Sequence, residues 1–260
     1  MPDCQGKTII VTGSTGIAAA AVRLATAAGA RVLVATSDER SGWDLAEETG
    51  ADCWAGDLAA PSSADSILAH CVGKLGRVDA LFNAAGLSGR RFGDGPVDQC
   101  TDEGWDLALT HNLTTTFLLC RAAVGQMLLQ EPGDDGMRGA ILNTGSAFSD
   151  SPEPRHFALH AYSAAKGGVV ALSKSMAAYY APHKIRVNVI APGLARTPLS
   201  ERSESDPELA QFLKTKQPLT GGMMDAAEVA RAALFLLSEG ARAITGEVLR
   251  VDAGWSLSGV

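Results

Sequence analysis

Residues 8–18 read TIIVTGSTGIA, and this stretch decides the fold. Thr8–Thr12 is a short β-branched run of the kind that forms a buried strand. Gly13 and Gly16 let the chain turn sharply, and Ile17–Ala28 is an Ala-rich helical stretch that Gly29 stops. A strand that turns through glycines into a helix is what binding a pyrophosphate requires. The backbone can approach the anion, and free N–H groups at the helix start meet its charge. G-x-G-x-x-G is absent, and Gly6-Lys7-Thr8 precedes the strand, so it is no P-loop.

The same alternation continues outward. Strand-like runs fall at Arg31–Ala35, Ala51–Ala55, Ala80–Asn83, Gly139–Thr144, Ile185–Ala191 and Glu247–Val251. Helical stretches fall at Ser63–Lys74 (ended by Gly76), from a Thr101 cap with breaks to about Leu129, at Tyr162–Tyr180 (ended by Pro182) and at Asp225–Ser238. Strands joined by helical crossovers predict an α/β fold: a doubly wound, seven-stranded parallel sheet with helices on both faces and ligands at the carboxyl ends of the strands. The expected organisation is one domain over residues 1–260, with residues 194–224 as a lid over a site. The alternative for that segment is a plain surface excursion.

Composition bounds the function. The 260 residues are 46% hydrophobic and 20% charged, ordinary for a globular chain and too apolar for a disordered one. Lys+Arg 22 against Asp+Glu 29 gives a net charge of −7, which disfavours nucleic acid and anionic membranes as partners. Cys4, Cys53, Cys71, Cys100 and Cys120 are odd in number and scattered, which fits a reducing compartment better than a disulfide framework. No signal segment or apolar span is visible, so the expected location is cytoplasmic. His156 and His160 are four apart but lie near Pro152 and Pro154 with no third partner, so no metal is expected.

Tyr162-Ser163-Ala164-Ala165-Lys166 sets a phenol and an ammonium four residues apart, on one face of a helix. A free phenol, with a pKa of ~10, is a poor base at neutral pH, and a nearby cation favours its ionised form. With the strand-ending motifs around it, this chain resembles the short-chain dehydrogenase/reductase family over essentially its whole length. Thr12-Gly13-Ser14-Thr15-Gly16-Ile17-Ala18 is similar to the family's T-G-x-x-x-G-x-G, one residue shorter and with Ala18 for the last Gly. Asn83-Ala84-Ala85-Gly86 resembles N-N-A-G, Asp57 (with Leu58) the Asp near the adenine, and Asn112 the helix Asn. Ser146 resembles the family Ser, Pro192-Gly193 with Thr197 the P-G…T, and Asp252-Ala253-Gly254 approximates D-G-G.

The resemblance implies a Rossmann-type fold and an NAD(P)-dependent oxidoreductase acting on an alcohol/carbonyl substrate. Asn112, Ser146, Tyr162 and Lys166 would be catalytic. Tyr162 would be general acid/base, Ser146 would hold the substrate oxygen, Lys166 would also bind the nicotinamide ribose, and Asn112 would steady a water relay. Gly13, Ser14, Thr15, Gly16, Ile17, Thr36, Ser37, Asp57, Leu58, Asn83, Ala84, Ala85, Gly86, Pro192, Gly193 and Thr197 would line the cofactor, with Tyr162 and Lys166. The Ser14 and Thr15 hydroxyls are expected to compensate for the short loop. Asn143 is expected to bond strand backbone. Family members are commonly homotetramers, and Ala232–Leu237 (AALFLL) suits either an interface or a core face.

At the end of the second strand Thr36 and Ser37 decide nothing, but Asp38 and Glu39 repel a phosphate despite Arg40, which leans to NAD over NADP. Ser146 lies 16 residues before Tyr162, about three more than the family usually has. The extra residues lie in Phe148–His160, making Ser149 and Ser151 rivals of Ser146. That insert should border the substrate pocket, together with residues 87–95, residues 194–224 and Trp255. Arg155, His156 and His160 in the insert, and Arg90-Arg91, either meet a polar or anionic substrate or are solvated loop charges. Within the enzyme class the substrate reads as a 3-oxoacyl thioester or a sugar/polyol. The reading from another class is a non-catalytic dinucleotide-binding sensor or scaffold.

Overall fold

The computed structural model describes residues 4–200 and 206–258. Seven strands form one sheet: β1 Thr8–Thr12, β2 Arg31–Thr36, β3 Asp52–Ala55, β4 Ala80–Asn83, β5 Gly139–Thr144, β6 Ile185–Pro192 and β7 Val248–Val251. Their order is β3-β2-β1-β4-β5-β6-β7, and every pairing is parallel. The helices are α1 Gly16–Ala27, α2 Glu39–Thr49, α3 Ser63–Leu75, α4 Asp102–Leu109, α5 Thr115–Leu129, α6 Ala147–Asp150, α7 His160–Tyr180, α8 Pro207–Lys216 and α9 Ala226–Leu237.

The central strands are buried almost continuously, as a doubly covered sheet demands, with successive side chains pointing to opposite faces. Ile9, Val11, Val32 and Val34 pack with α1 and α9, while Ile10, Leu33 and Ala35 pack with α3 and α5 on the other face. Ala233, Leu234, Leu236 and Leu237 are buried against this first layer, so most of AALFLL is core face, and Phe235 alone of its large side chains is exposed.

The helix stops and starts follow their local chemistry. Gly76 takes a left-handed conformation after α3, Thr101 caps α4 through Gly104 N, and Asp225 with Glu228 closes a capping box on α9. A π-helical turn, Thr110–Thr114, separates α4 from α5. Several elements differ from the sequence reading, which assigns no helix at α2, α6 or α8. α2 went unread because it is polar, with only Gly42, Leu45 and Ala46 buried. α7 begins at His160, two residues before Tyr162.

The order in which strands are added reverses between β1 and β4, leaving a crevice at the carboxyl ends of those strands. Residues 194–224 contain α8, whose Leu209 and Leu213 pack with Leu194, Met223 and Trp255; the part of this segment at 201–205 lies outside the described residues.

Candidate active site

The Gly loop is built on β1 and pressed against its neighbours. Gly13 has φ +91° and Gly16 φ +53°. A Cβ on Gly13 would meet Ala18 Cβ at 3.2 Å, and one on Gly16 would meet Thr197 Cγ2 at 2.7 Å. Thr12 Oγ1 accepts a hydrogen bond from Ala85 N at 3.0 Å. Thr12–Gly16, Ala84–Gly86 and Thr197 thus meet at one place, though 185 residues separate the first from the last. This cradle of small residues and open backbone fits a nicotinamide dinucleotide.

The Ser14 hydroxyl does not compensate for the missing residue. It is buried, bonded to Thr36 Oγ1 at 2.9 Å and Ser41 Oγ at 2.7 Å. The short loop is instead fastened inward to β2 and α2. Thr15 caps α1 through its backbone, with no side-chain bond.

At the next strand edges, Ser146 follows β5 and is buried. Its hydroxyl accepts from Phe148 N at 3.2 Å and hydrogen-bonds Tyr162. Of the rivals, Ser149 has its Oγ donating to the Ser146 carbonyl, and the Ser151 backbone carbonyl accepts from Trp255 Nε1. Lys166 is 3% exposed and its Nζ donates to the Thr144 carbonyl at 2.9 Å. The same Nζ lies 5.6 Å from the centre of the Tyr162 ring.

Burial dominates the electrostatics. It pushes the Tyr162 phenol above its ordinary value, partly opposed by the Ser146 hydrogen bond. Burial also pushes Lys166 down to about 8. The expectation that Lys166 leaves the phenol easily ionised is therefore corrected. Desolvation is the larger effect on the phenol, ahead of the Ser146 hydrogen bond.

Asn112 sits in the π-turn, fully buried. Its Nδ2 donates to the carbonyls of Leu87 and Ala108, and its Oδ1 accepts from Leu87 N. The side chain is thus a clamp on the loop after β4. A Cβ on Gly86 would lie 2.6 Å from Asn112 Oδ1 and 3.3 Å from Lys166 Nζ. Gly86→Ala is expected to cost about 1–3 kcal/mol of stability through this overlap. It should weaken dinucleotide binding as well, measurable by thermal melts with and without NAD.

Asn143 departs from its expected role. Its Oδ1 accepts from Asn83 Nδ2 at 2.8 Å and its Nδ2 donates to Ser173 Oγ at 2.8 Å, linking β4, β5 and α7 through side chains. Cys120 Sγ also donates to it, and burial pushes that thiol up to about 12. Asn83 lies behind the cleft in this network. Pro192 ends β6, and Gly193 is held beside Gln217, whose amide bonds both Leu194 N and Leu194 O. Sequence reading missed Gln217, since a lone Gln in a weakly periodic segment carries no signal.

At the end of β2, Thr36 Oγ1 accepts from Asp38 N, and Asp38 caps α2 through Ser41 N. That bond holds the Asp38 carboxyl below its usual range. Arg40 faces Asp44 at 3.9 Å. Ser37 is exposed, Asp57 Oδ1 accepts from Ala59 N, and Leu58 is buried. Ile17, in the first turn of α1, packs at the edge of the core.

The insert forms an aromatic wall beside Ser146. Phe148 stacks on Phe157 with centroids 4.8 Å apart and contacts Trp255 at 4.8 Å, while Phe212 of α8 meets Trp255 at 6.1 Å. His156 packs on Phe212, Arg155 pairs with Glu208, and Arg90 donates to the His156 carbonyl. His160 is exposed. Among the described residues no group of His, Cys, Asp and Glu could hold a metal ion, and no helix is long and apolar enough to cross a membrane.

A family model described as enoyl-(acyl carrier protein) reductase matches residues 11–256. The 2,5-dichloro-2,5-cyclohexadiene-1,4-diol dehydrogenase of Sphingobium indicum is 34% identical, covering 98% of this chain and 99% of its own. The 3β-hydroxysteroid dehydrogenase 1 of Eggerthella lenta is 38% identical, covering 98% and 95%. A solved structure described as ribose-5-phosphate isomerase from Brucella melitensis superposes with a TM-score of 0.89 at 33% identity, covering 99% and 95%. The chain belongs to the short-chain dehydrogenase/reductase family. It is an NAD(P)-dependent oxidoreductase acting on CH–OH donors.

Proposed function

We propose that this enzyme oxidises a secondary alcohol on an apolar ring, using NAD. The partly buried rings of Phe148, Phe157 and Phe212, packed over the fully buried Trp255 and beginning two residues after Ser146, carry this reading. Apolar surface there favours a ring over a polyol, whose hydroxyls would each lose water without a partner. The ring alcohols named for two relatives agree with it. So does the engagement of Arg155 by Glu208 and of Arg90 by a backbone carbonyl, which turns charge away from an anionic acyl carrier.

The roles follow from the geometry. Ser146 holds the substrate oxygen by a hydrogen bond that strengthens as charge grows on it. Tyr162 takes the hydroxyl proton, or returns it to a carbonyl in the reverse direction. Lys166 supplies the nearby cation and a donor for ribose hydroxyls, and Asn112 keeps the loop after β4 in place. The bound nicotinamide supplies the hydride chemistry. The lean to NAD rests on Asp38, which stays ionised at the end of β2, and on Arg40, which is directed at Asp44. The described residues 194–200 and 206–224 act as the lid. Exposed Trp105, Phe117, Leu128 and Tyr179 favour a homotetramer built on α4, α5 and α7, and five thiols without a disulfide favour a cytoplasmic location.

A panel of cyclohexanol, a cis-cyclohexanediol, a 3-hydroxysteroid, threitol and a 3-hydroxyacyl thioester, each with NAD and NADP, tests this. The ring alcohols with NAD are expected to exceed the others in kcat/KM by about tenfold or more, since burying even a few methylenes is worth that much. Preference for threitol, for the thioester or for NADP would refute the corresponding part.

A further inference from the structure

We infer that Asp94 is a positioning residue for Tyr162: its buried carboxylate caps the catalytic helix from the loop after β4. The inference rests on the catalytic reading of Tyr162 given above.

α7 does not cap itself. The residue at its N-cap is Leu159, which has no side-chain bond, and its first turn contains no acidic residue. The first turn of a helix leaves N–H groups unpaired, and without an acceptor it frays. Tyr162 lies in that turn. The acceptor is supplied by a residue 68 positions upstream. Asp94 Oδ2 accepts from Tyr162 N at 3.0 Å, and Asp94 Oδ1 accepts from Ala161 N at 3.0 Å. The next residue joins in, with His160 N donating to the Gly95 carbonyl at 3.2 Å.

The loop is shaped around this carboxylate, which is only 5% exposed. Asp94 N donates to the Gly89 carbonyl. A Cβ on Gly89 would stand 2.7 Å from Asp94 Cβ, and one on Gly104 would stand 2.6 Å from Asp94 N. Two glycines therefore allow the burial. A carboxylate there also meets the positive end of α7, which offsets part of its desolvation.

The connection has a functional direction. The same loop begins at Gly86 and Leu87, which Asn112 clamps beside Lys166. One segment, residues 86–95, thus spans from the cofactor side of the cleft to the backbone of Tyr162. Asp94 touches neither reacting group. It fixes the place from which the phenol reaches the substrate oxygen.

The test compares Asp94→Ala, Asp94→Asn, Asp225→Ala and Tyr162→Phe. Asp225 caps its own helix, α9, through Ala227 N. Displacing a catalytic group by about 1 Å costs on the order of 10²-fold in rate, so Asp94→Ala should lose about that much kcat. Its NAD dissociation constant should move by less than about twofold, since the loss lies in orientation and not in ground-state binding. Asp94→Asn keeps an acceptor oxygen and should recover about tenfold of the loss. Should Asp94→Ala fail to fold, Asp94→Asn carries the test, with kcat below the parent and faster amide exchange in the peptide containing Ala161 and Tyr162. Asp225→Ala should lower the melting temperature and keep kcat.

The proposal is overturned if the folded Asp94 variants keep the parent kcat, if NAD affinity falls in step with kcat, or if Asp225→Ala loses as much turnover. Tyr162→Phe separates the two readings. Retained turnover there overturns the catalytic assignment, and this inference with it, whereas lost turnover there beside unchanged Asp94 variants overturns this inference alone.

Discussion

Replacing Tyr162 by Phe is expected to lower turnover by about 10³–10⁴-fold, the upper range for losing a positioned proton donor or acceptor, while NAD still binds. The substitution removes one oxygen and little else. The ring keeps its place in the first turn of α7, with Lys166 Nζ 5.6 Å from its centre, and Ser146 loses one partner but keeps the bond from Phe148 N. The Gly loop, the loop after β4 and Thr197 are untouched. Initial rates followed at 340 nm, together with calorimetric titration of NAD, separate the two effects. Turnover within about tenfold of the parent would mean that another group moves the proton.

The pH dependence of the parent has a defined sign. Burial raises the Tyr162 pKa, so the phenol is the stable form at neutral pH. Carbonyl reduction needs that form and should hold steady through neutrality. Alcohol oxidation needs the phenolate and should quicken as pH rises. An oxidation rate that falls from pH 6 to 7, where Lys166 keeps its proton, would contradict the role given to Tyr162.

The sequence made the sheet legible because each strand is a short apolar run bounded by a Gly, Pro or cap signal. Thr8–Thr12, Ser63 onward and Thr101 all begin where the reading set them. The helix α2 escaped because its exposed face dominates its composition, and its first turn was weighed only as charge near a phosphate. Tyr162 and Lys166 were legible because four residues is a local spacing. The bonds that seat them are not local. Asp94 and Tyr162 are 68 apart, and Asn83 and Asn143 are 60 apart. No periodicity encodes such pairs. The Ser14 hydroxyl illustrates the same limit: its type suggested a phosphate contact, yet its direction depends on Thr36 and Ser41 from other elements.

Lys166→Met is expected to separate stability from function in the opposite sense to most core substitutions. Lys166 is 3% exposed, and burial alone lowers its pKa from 10.5 to about 8. A shift of that size corresponds to roughly 3 kcal/mol held against folding while the group is charged. Met fills a similar volume without a charge. The Thr144 carbonyl loses its donor, which takes back about 1–2 kcal/mol. A net gain of roughly 1–2 kcal/mol near pH 7 remains. The pH window follows from the two pKa values. Below about 8 the buried ammonium is charged in both the folded and unfolded chain, and its full cost is present. Between about 8 and 10.5 the folded chain has released the proton while the unfolded chain retains it, so the cost fades. The advantage of Lys166→Met in urea unfolding should therefore be largest at pH 7 and shrink toward pH 10. Turnover should fall by about 10²-fold or more, since the variant lacks the cation that favours the phenolate and the donor for the ribose. A variant less stable than the parent at pH 7 would show that the hydrogen bond to Thr144 outweighs desolvation. Retained turnover would show that Tyr162 works without the ammonium beside it.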